Sequence, residues 1–292
     1  MSGITSRLMD QANSLRLKLW GVRGSTPTPV RANLGCGGNT ACLEIRAADD
    51  QVVILDAGSG IRGLGQAILE EFQGRPLKLD IFLTHYHWDH IQGLPFFAPL
   101  YRENTQITLH ASERLGSIHE RLHGQMSAPY FPVDFDSVAA CVRFVEFDGS
   151  PIQAGGLHIS SFPMHHPQGA FGYRMESEQG VVVYASDLEP GNADLDRVVR
   201  EFAEGADTLI YDSQFTPEEY LTHRGWGHSH WREAATVAGD AQVKQLILFH
   251  HDPSHDDQTV QRMESDTCRL FENTLAAREG WSAEFACRKE AQ

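Results

Sequence analysis

"LTHYHWDHIQG", residues 83–93, holds three histidines and one aspartate within the six positions from His85 to His90. It continues "LKLDIFLT", residues 77–84, whose apolar and polar residues alternate as in a strand. Side chains two apart in an extended segment share a side, so His85 and His87 can reach one metal ion. Asp89 and His90 lie further along the turn and can reach a second. An aspartate here also suits a helix start, where its carboxylate accepts backbone N–H bonds. That role explains one residue and leaves four ligand-type side chains in a row unexplained. Histidine and carboxylate without cysteine favour Zn²⁺, with Mn²⁺ or Fe as the alternatives.

Outward from this stretch, the pattern predicts strands at 15–20, 40–46, 51–57, 107–111, 141–147, 157–162, 170–176, 181–186, 208–213 and 245–250. Helical spacing is read at 61–72, 111–122, 193–203, 229–240 and 257–278. Many strands in succession, with a helix after some, predict an α/β protein of two packed sheets covered by helices. Ligand-type residues recur where strands end: His85, Asp187, Asp212 and His250, with His166 in the loop before "AFGYRME". Loops held by a rigid sheet are the usual place for a site.

Composition narrows the rest. The chain has 292 residues, 41% hydrophobic and 22% charged, without linker or repeat, and one domain over 1–292 is expected. No apolar run approaches the ~20 residues of a membrane span. The first twenty residues show no signal-peptide core, so a cytoplasmic location is expected. Five cysteines, at 36, 42, 141, 268 and 287, form no CxxC pair and read as reduced thiols. Lys and Arg total 24 against 39 Asp and Glu, a net charge of −15. That weighs against a long polyanion as partner and leaves room for a small phosphate ester at a locally cationic metal pocket.

"THYHWDH" resembles the HxHxDH signature of the metallo-β-lactamase superfamily. "LDAGSG" (55–60), "HHPQGAFGYR" (165–174), "VVVYASDLEP" (181–190) and "LILFHHDP" (246–253) resemble its other motifs, in the same order. The resemblance implies an αββα sandwich with two divalent metal ions. His85, His87 and His166 would bind one ion; Asp89, His90 and His250 would bind the other. Asp187 would bridge them, with a water or hydroxide between. His166 is chosen over its neighbour His165 because it lies six residues before Gly172, and His250 over His251 because it directly ends "LILF". His165 and His251 would then touch substrate or support the ligands. Asp56, two residues before Gly58, reads as a turn residue or as a partner orienting a ligand histidine.

Within the superfamily, "LWGVRGSTPTP…GGNTACLEI" and "GWGHSHW" (225–231) resemble the phosphodiesterase branch that includes ribonuclease Z. The latter supplies His228 and His230, which also suit the start of the helix at 229–240, with Ser229 as its N-cap. Asn39 would line the pocket rim. Tyr130, in "APYFP" (128–132), reads as part of a lid that stacks on a flat ring or as a packing loop. The chain departs from ribonuclease Z in one respect. It has no Gly-Pro-bearing basic arm, and residues 116–137 contain no lysine and end acidic.

The expectation is a hydrolase of small phosphodiesters such as cyclic nucleotides or cyclic phosphates, with Asp89 and His228 as catalytic residues. A thioester or lactone hydrolase on the same metals, and a metal-containing nucleotide-binding protein without turnover, are the alternatives. No long nucleic acid and no membrane are expected as partners. Relatives are often dimers, so a homodimer is what the resemblance implies.

Overall fold

The computed structural model describes residues 14–47 and 51–286. Cys287 and the first thirteen residues lie outside it; the four described cysteines are free.

Fourteen strands form two seven-stranded sheets among the described residues. In the first, β1 (Ser14–Gly21), β2 (Cys42–Arg46), β3 (Val52–Leu55), β4 (Leu77–Phe82), β5 (Thr105–Ser112) and β6 (Cys141–Phe147) lie side by side in chain order. The last strand, β14 (Ser282–Ala286), pairs antiparallel with β1 and closes that edge. The second sheet runs β13 (Thr274–Ala276), β12 (Leu246–Phe249), β11 (Thr208–Asp212), β10 (Val181–Ala185), β9 (Ala170–Glu176), β8 (Leu157–Met164), β7 (Ile152–Ala154). Strands β3 to β6 are mutually parallel, and so are β10 to β13.

The central parallel strands are covered on both faces, which is why VVIL of β3, TLIYD of β11 and LILF of β12 are buried throughout. Leu43, Leu55, Tyr173, Tyr184, Ile210 and Phe249 fill the layer between the sheets. The helices α1 (Ile61–Phe72), α2 (Trp88–Ile91) and α3 (Ile118–Gln125) lie in the first half of the chain. Ile61, Leu64 and Ile68 of α1 join Ile54 and Ile81 in a cluster on the outer face of the first sheet. The later helices are α4 (Ala193–Ala203), α5 (Pro217–Tyr220), α6 (Trp231–Asp240) and α7 (Asp257–Cys268). Val199, Val237 and Met263 of α4, α6 and α7 pack with Leu209 and Leu248 of the second sheet. The sheets are cross-tied at the site, where the Tyr173 hydroxyl donates to the Leu83 carbonyl at 2.6 Å.

Two predicted helices are corrected. Residues 111–122 divide: β5 runs to Ser112, Gly116 adopts φ +82°, and α3 begins after Ser117, which accepts the Glu120 N–H as its N-cap. The helix predicted at 257–278 stops at Cys268, and 274–276 instead form β13, parallel to β12. No described helix is long and apolar enough to cross a membrane.

Candidate metal centre

Parallel strands of both sheets end at one place, and their last residues build the site. Asp56 follows β3, His85 follows β4, Asp187 follows β10, Asp212 ends β11 and His250 follows β12. Asp56, Asp187 and His250 hold left-handed backbones, at φ +60°, +64° and +63°. Non-glycine residues in that region store strain that the surrounding fold must hold in place.

Asp187 is the hub. Its Oδ1 lies 3.9 Å from His85 Nε2 and 4.0 Å from His166 Nε2. Its Oδ2 lies 3.0 Å from His90 Nε2 and 3.4 Å from His250 Nε2. His87 Nδ1 stands 3.1 Å from His166 Nε2 on the first side; Asp89 Oδ2 stands 3.2 Å from His250 Nε2 on the second. The ligand atoms of His85, His87 and His166 lie within 4.8 Å of one another, and so do those of Asp89, His90, Asp187 and His250.

The far nitrogens fix which atom each ring presents. His90 Nδ1 donates to Asp56 at 2.7 Å, His166 Nδ1 to the Gly227 carbonyl at 2.8 Å, and His250 Nδ1 to Gln214 Oε1 at 3.0 Å. His87 is turned the other way, with Nε2 on Gln168 Oε1 at 2.8 Å and Nδ1 facing inward. His85 Nδ1 meets the Thr84 hydroxyl at 3.0 Å, which also contacts the Asp56 carboxylate. Such outer partners orient and tune metal ligands.

These residues fit a pair of cations. His85 Nε2 is buried with no hydrogen-bond partner, an orphan atom aimed into the group. Ring nitrogens 3.1 and 3.3 Å apart, as in His87–His166 and His90–His250, match ligands of one ion. Bonds of about 2.1 Å in a tetrahedron set ligands roughly 3.4 Å apart.

Charge divides the two sides. Burial lowers His85 well below the usual histidine range, and His166 to about 4. Burial opposes a proton on His90 and His250 too, but Asp187 and the neighbouring carboxylates outweigh it, raising His90 well above its usual range and His250 to about 9. Asp187 is held well below the carboxylate range, against its burial, by His250 and His90.

His228 stands beside this group. Its Nδ1 donates to Asp212 Oδ2 at 2.9 Å and lies 3.8 Å from Asp187 Oδ1, while its ring stacks on His250 at 4.9 Å. The Asp212 carboxylate also accepts the N–H groups of Asp187, Gln214 and Ser229. Asp212 was legible only as an aspartate ending a strand, and Gln214, Thr84 and Tyr184 carried no signal. The Tyr184 hydroxyl donates to Asp56 at 2.9 Å from the facing sheet.

Other expected contacts are not gathered here. His251 is buried on another side, with Nε2 on the Ala277 carbonyl, and burial lowers it to about 3. His230 is the N-cap of α6, its Nδ1 accepting the Glu233 N–H, so it and not Ser229 starts that helix. Asn39 is spent on Glu279, to which its N–H and side-chain amide donate, and on Ser59. Tyr130 is 78% exposed, while Phe131 beside it packs edge-on against Phe96. His165 is exposed, with Nδ1 on the Glu189 carbonyl.

Asp56→Asn tests the outer partners. Asparagine tolerates the left-handed backbone but presents an amide nitrogen where a carboxylate oxygen was. Metal affinity at His90 should fall about 10- to 100-fold. Titration with a metal-buffered indicator checks this; wild-type affinity would remove Asp56 from the site.

Residues 51–251 match the family model described as a beta-lactamase superfamily domain. A ribonuclease Z of Thermoplasma acidophilum is 24% identical, covering 96% of this chain and 99% of its own. A diphosphatase of the PhnP family has a similar fold, with a TM-score of 0.68 at 19% identity over 94% of this chain and 99% of its own. Zn²⁺-bound PqqB from Methylobacterium extorquens also has a TM-score of 0.68, at 15% identity over 92% and 99% of the two chains.

Proposed function

The chain belongs to the beta-lactamase superfamily, in the ribonuclease Z-like branch of its metal-dependent hydrolases, and on that premise we propose that it is a dinuclear phosphodiesterase acting on small phosphodiesters such as cyclic nucleotides. The observation that carries the reading is the division of Asp187, with one carboxylate oxygen toward His85 and His166 and the other toward His90 and His250. His85, His87 and His166 would hold one ion, Asp89, His90 and His250 the other, with Asp187 shared. The all-histidine and carboxylate donor set favours zinc.

Two divalent cations, when bound there, supply Lewis acidity: they make water a nucleophile near neutral pH and offset phosphate charge. The chain's own residues do the rest. Asp89 and Asp187 fix the anionic side of the group, and the Ser25 N–H holds Asp89 Oδ2 at 2.7 Å. His228 Nδ1 is committed to Asp212, which leaves Nε2 to give a proton to the departing oxygen. An alkoxide leaving group needs that proton and a thiolate does not, which favours a phosphodiester over a thioester.

The ribonuclease Z relatives favour a second reading, an RNA substrate. Against it stand the net charge of −15 and the segment 116–137, where Ile118, Leu122, Met126 and Phe135 are buried against the first sheet. A substrate panel separates the readings: bis-p-nitrophenyl phosphate, a cyclic nucleotide, a glutathione thioester, a β-lactam and a precursor tRNA. The diesters should be cleaved, with little dependence on salt. Polyanion binding would show a steep salt slope. Turnover confined to the thioester and β-lactam would sink the reading, and efficient tRNA trimming at physiological salt would replace it with the second.

A further inference from the structure

Glu189, two residues beyond Asp187, is only 6% exposed, and its carboxylate is spent on one loop. Oε1 accepts the Gly225 N–H at 2.7 Å and Oε2 the Gly227 N–H at 2.8 Å. The Tyr220 hydroxyl, at the end of α5, lies 3.4 Å from Oε1. The Glu189 backbone is clasped as well: its N–H donates to the His165 carbonyl at 2.7 Å, and its own carbonyl accepts from His165 Nδ1 at 3.0 Å. One residue thus joins the loop of Asp187, the loop of His166 and the loop leading into His228.

The Gly227 carbonyl is the acceptor that orients His166, and the residue after it is His228. Gly227 sits at φ +88°, and a Cβ there would meet His166 Nδ1 at 2.3 Å, so the loop passes hard against the ring. Gly225, at φ +87°, also has a left-handed backbone. Two such glycines flanking Trp226 do not hold one shape unaided; the two charge-assisted bonds from Glu189 select it.

We infer that Glu189 is a positioning residue that sets His228 against the leaving group by holding the 225–227 loop. The inference rests on the phosphodiesterase reading for the role of His228, and on geometry alone for the grip.

Glu189→Gln keeps the shape but puts an amide N–H₂ against one of the two loop N–H groups. Two measurements on the metal-loaded protein read the effect. Cleavage of adenosine 3′,5′-cyclic monophosphate should fall about 10- to 100-fold, part of the ~10²–10⁴ that a general acid supplies. Cleavage of bis-p-nitrophenyl phosphate, whose leaving group needs no acid, should stay within a few-fold. In proton NMR, the imidazole Nδ1–H signals of His166 and His228, assigned by their loss in alanine variants, should shift or broaden. Glu189→Asp, which keeps both acceptor oxygens, should recover part of both effects and covers the case in which the glutamine variant folds poorly. Unmoved imidazole signals, or equal losses on the two esters, would overturn the inference. His228→Ala run in parallel separates the failures. If it fails to discriminate the esters, the leaving-group reading falls; if it discriminates and Glu189→Gln does not, only the role of Glu189 falls.

Discussion

Asp187→Ala should leave the protein without its pair of cations and without measurable hydrolysis of any ester. The carboxylate is 1% exposed and lies between both histidine groups. On the proposed reading each side would lose an oxygen ligand, and the second side the anion that faces His90 and His250. Metal binding and ligand deprotonation are coupled, so a site with less negative charge binds its cation more weakly. Losing a single electrostatic stabiliser of a transition state costs about 10²–10³ in rate, and losing both cations should exceed that. Asp187→Asn is the companion: asparagine accepts the left-handed backbone and keeps one carbonyl oxygen, so it should retain about one ion. Elemental analysis of metal-replete variants reads the outcome. Two ions retained in Asp187→Ala would show that this carboxylate is not shared.

His228→Ala should slow cleavage of an alkyl phosphodiester by about 10²–10⁴ and spare the p-nitrophenyl ester. A ribose oxygen leaves as a strong base and needs a proton, whereas p-nitrophenolate leaves unaided. The Asp212 carboxylate accepts from Nδ1 at 2.9 Å and fixes the ring, so that Nε2 is the nitrogen offered to the leaving group on this reading. His230→Ala is the control, because that ring caps α6 and stands against Tyr220, 5.0 Å between centroids. Its loss should cost about 0.5–2 kcal/mol of stability, as for other N-caps, with little effect on either ester. Metal content is measured in both variants so that a lost ion is not read as lost acid catalysis. Equal losses on both esters with ions retained would leave His228 as a phosphate binder.

Much of the candidate metal centre was legible in the sequence because its ligand-type side chains come in short local runs. His85, His87, Asp89 and His90 fall on one strand end and the turn after it, where spacing translates directly into direction. His166 is chosen over His165 for lying six residues before Gly172, and His250 over His251 for ending its strand; at 250–251 the left-handed backbone at His250 turns the two rings to different sides. The outer partners were out of reach for the opposite reason. Tyr184 reaches Asp56 from the facing sheet, and Gln214 and Gly227 meet their histidines across 36 and 61 residues of chain. No local pattern encodes such meetings.

The helix errors have similar causes. Apolar spacing ran through 269–278, but Asn273 donates to the Lys244 carbonyl and β13 completes a sheet edge, a tertiary reward that local periodicity does not contain. At the start of α6, Ser229 has the better capping side chain, yet its N–H is taken by Asp212 and Phe215 bridges to His230, which moves the first turn on by one residue.

Whether Asp187 is shared by a pair of cations can be read from anomalous scattering by crystals of the zinc-replete protein, recorded at the zinc edge. Two peaks about 3.5–4 Å apart are expected, one among His85, His87 and His166, the other among Asp89, His90 and His250, with Asp187 between them. A single peak in fully loaded protein, or two peaks of which neither touches Asp187, would contradict that sharing.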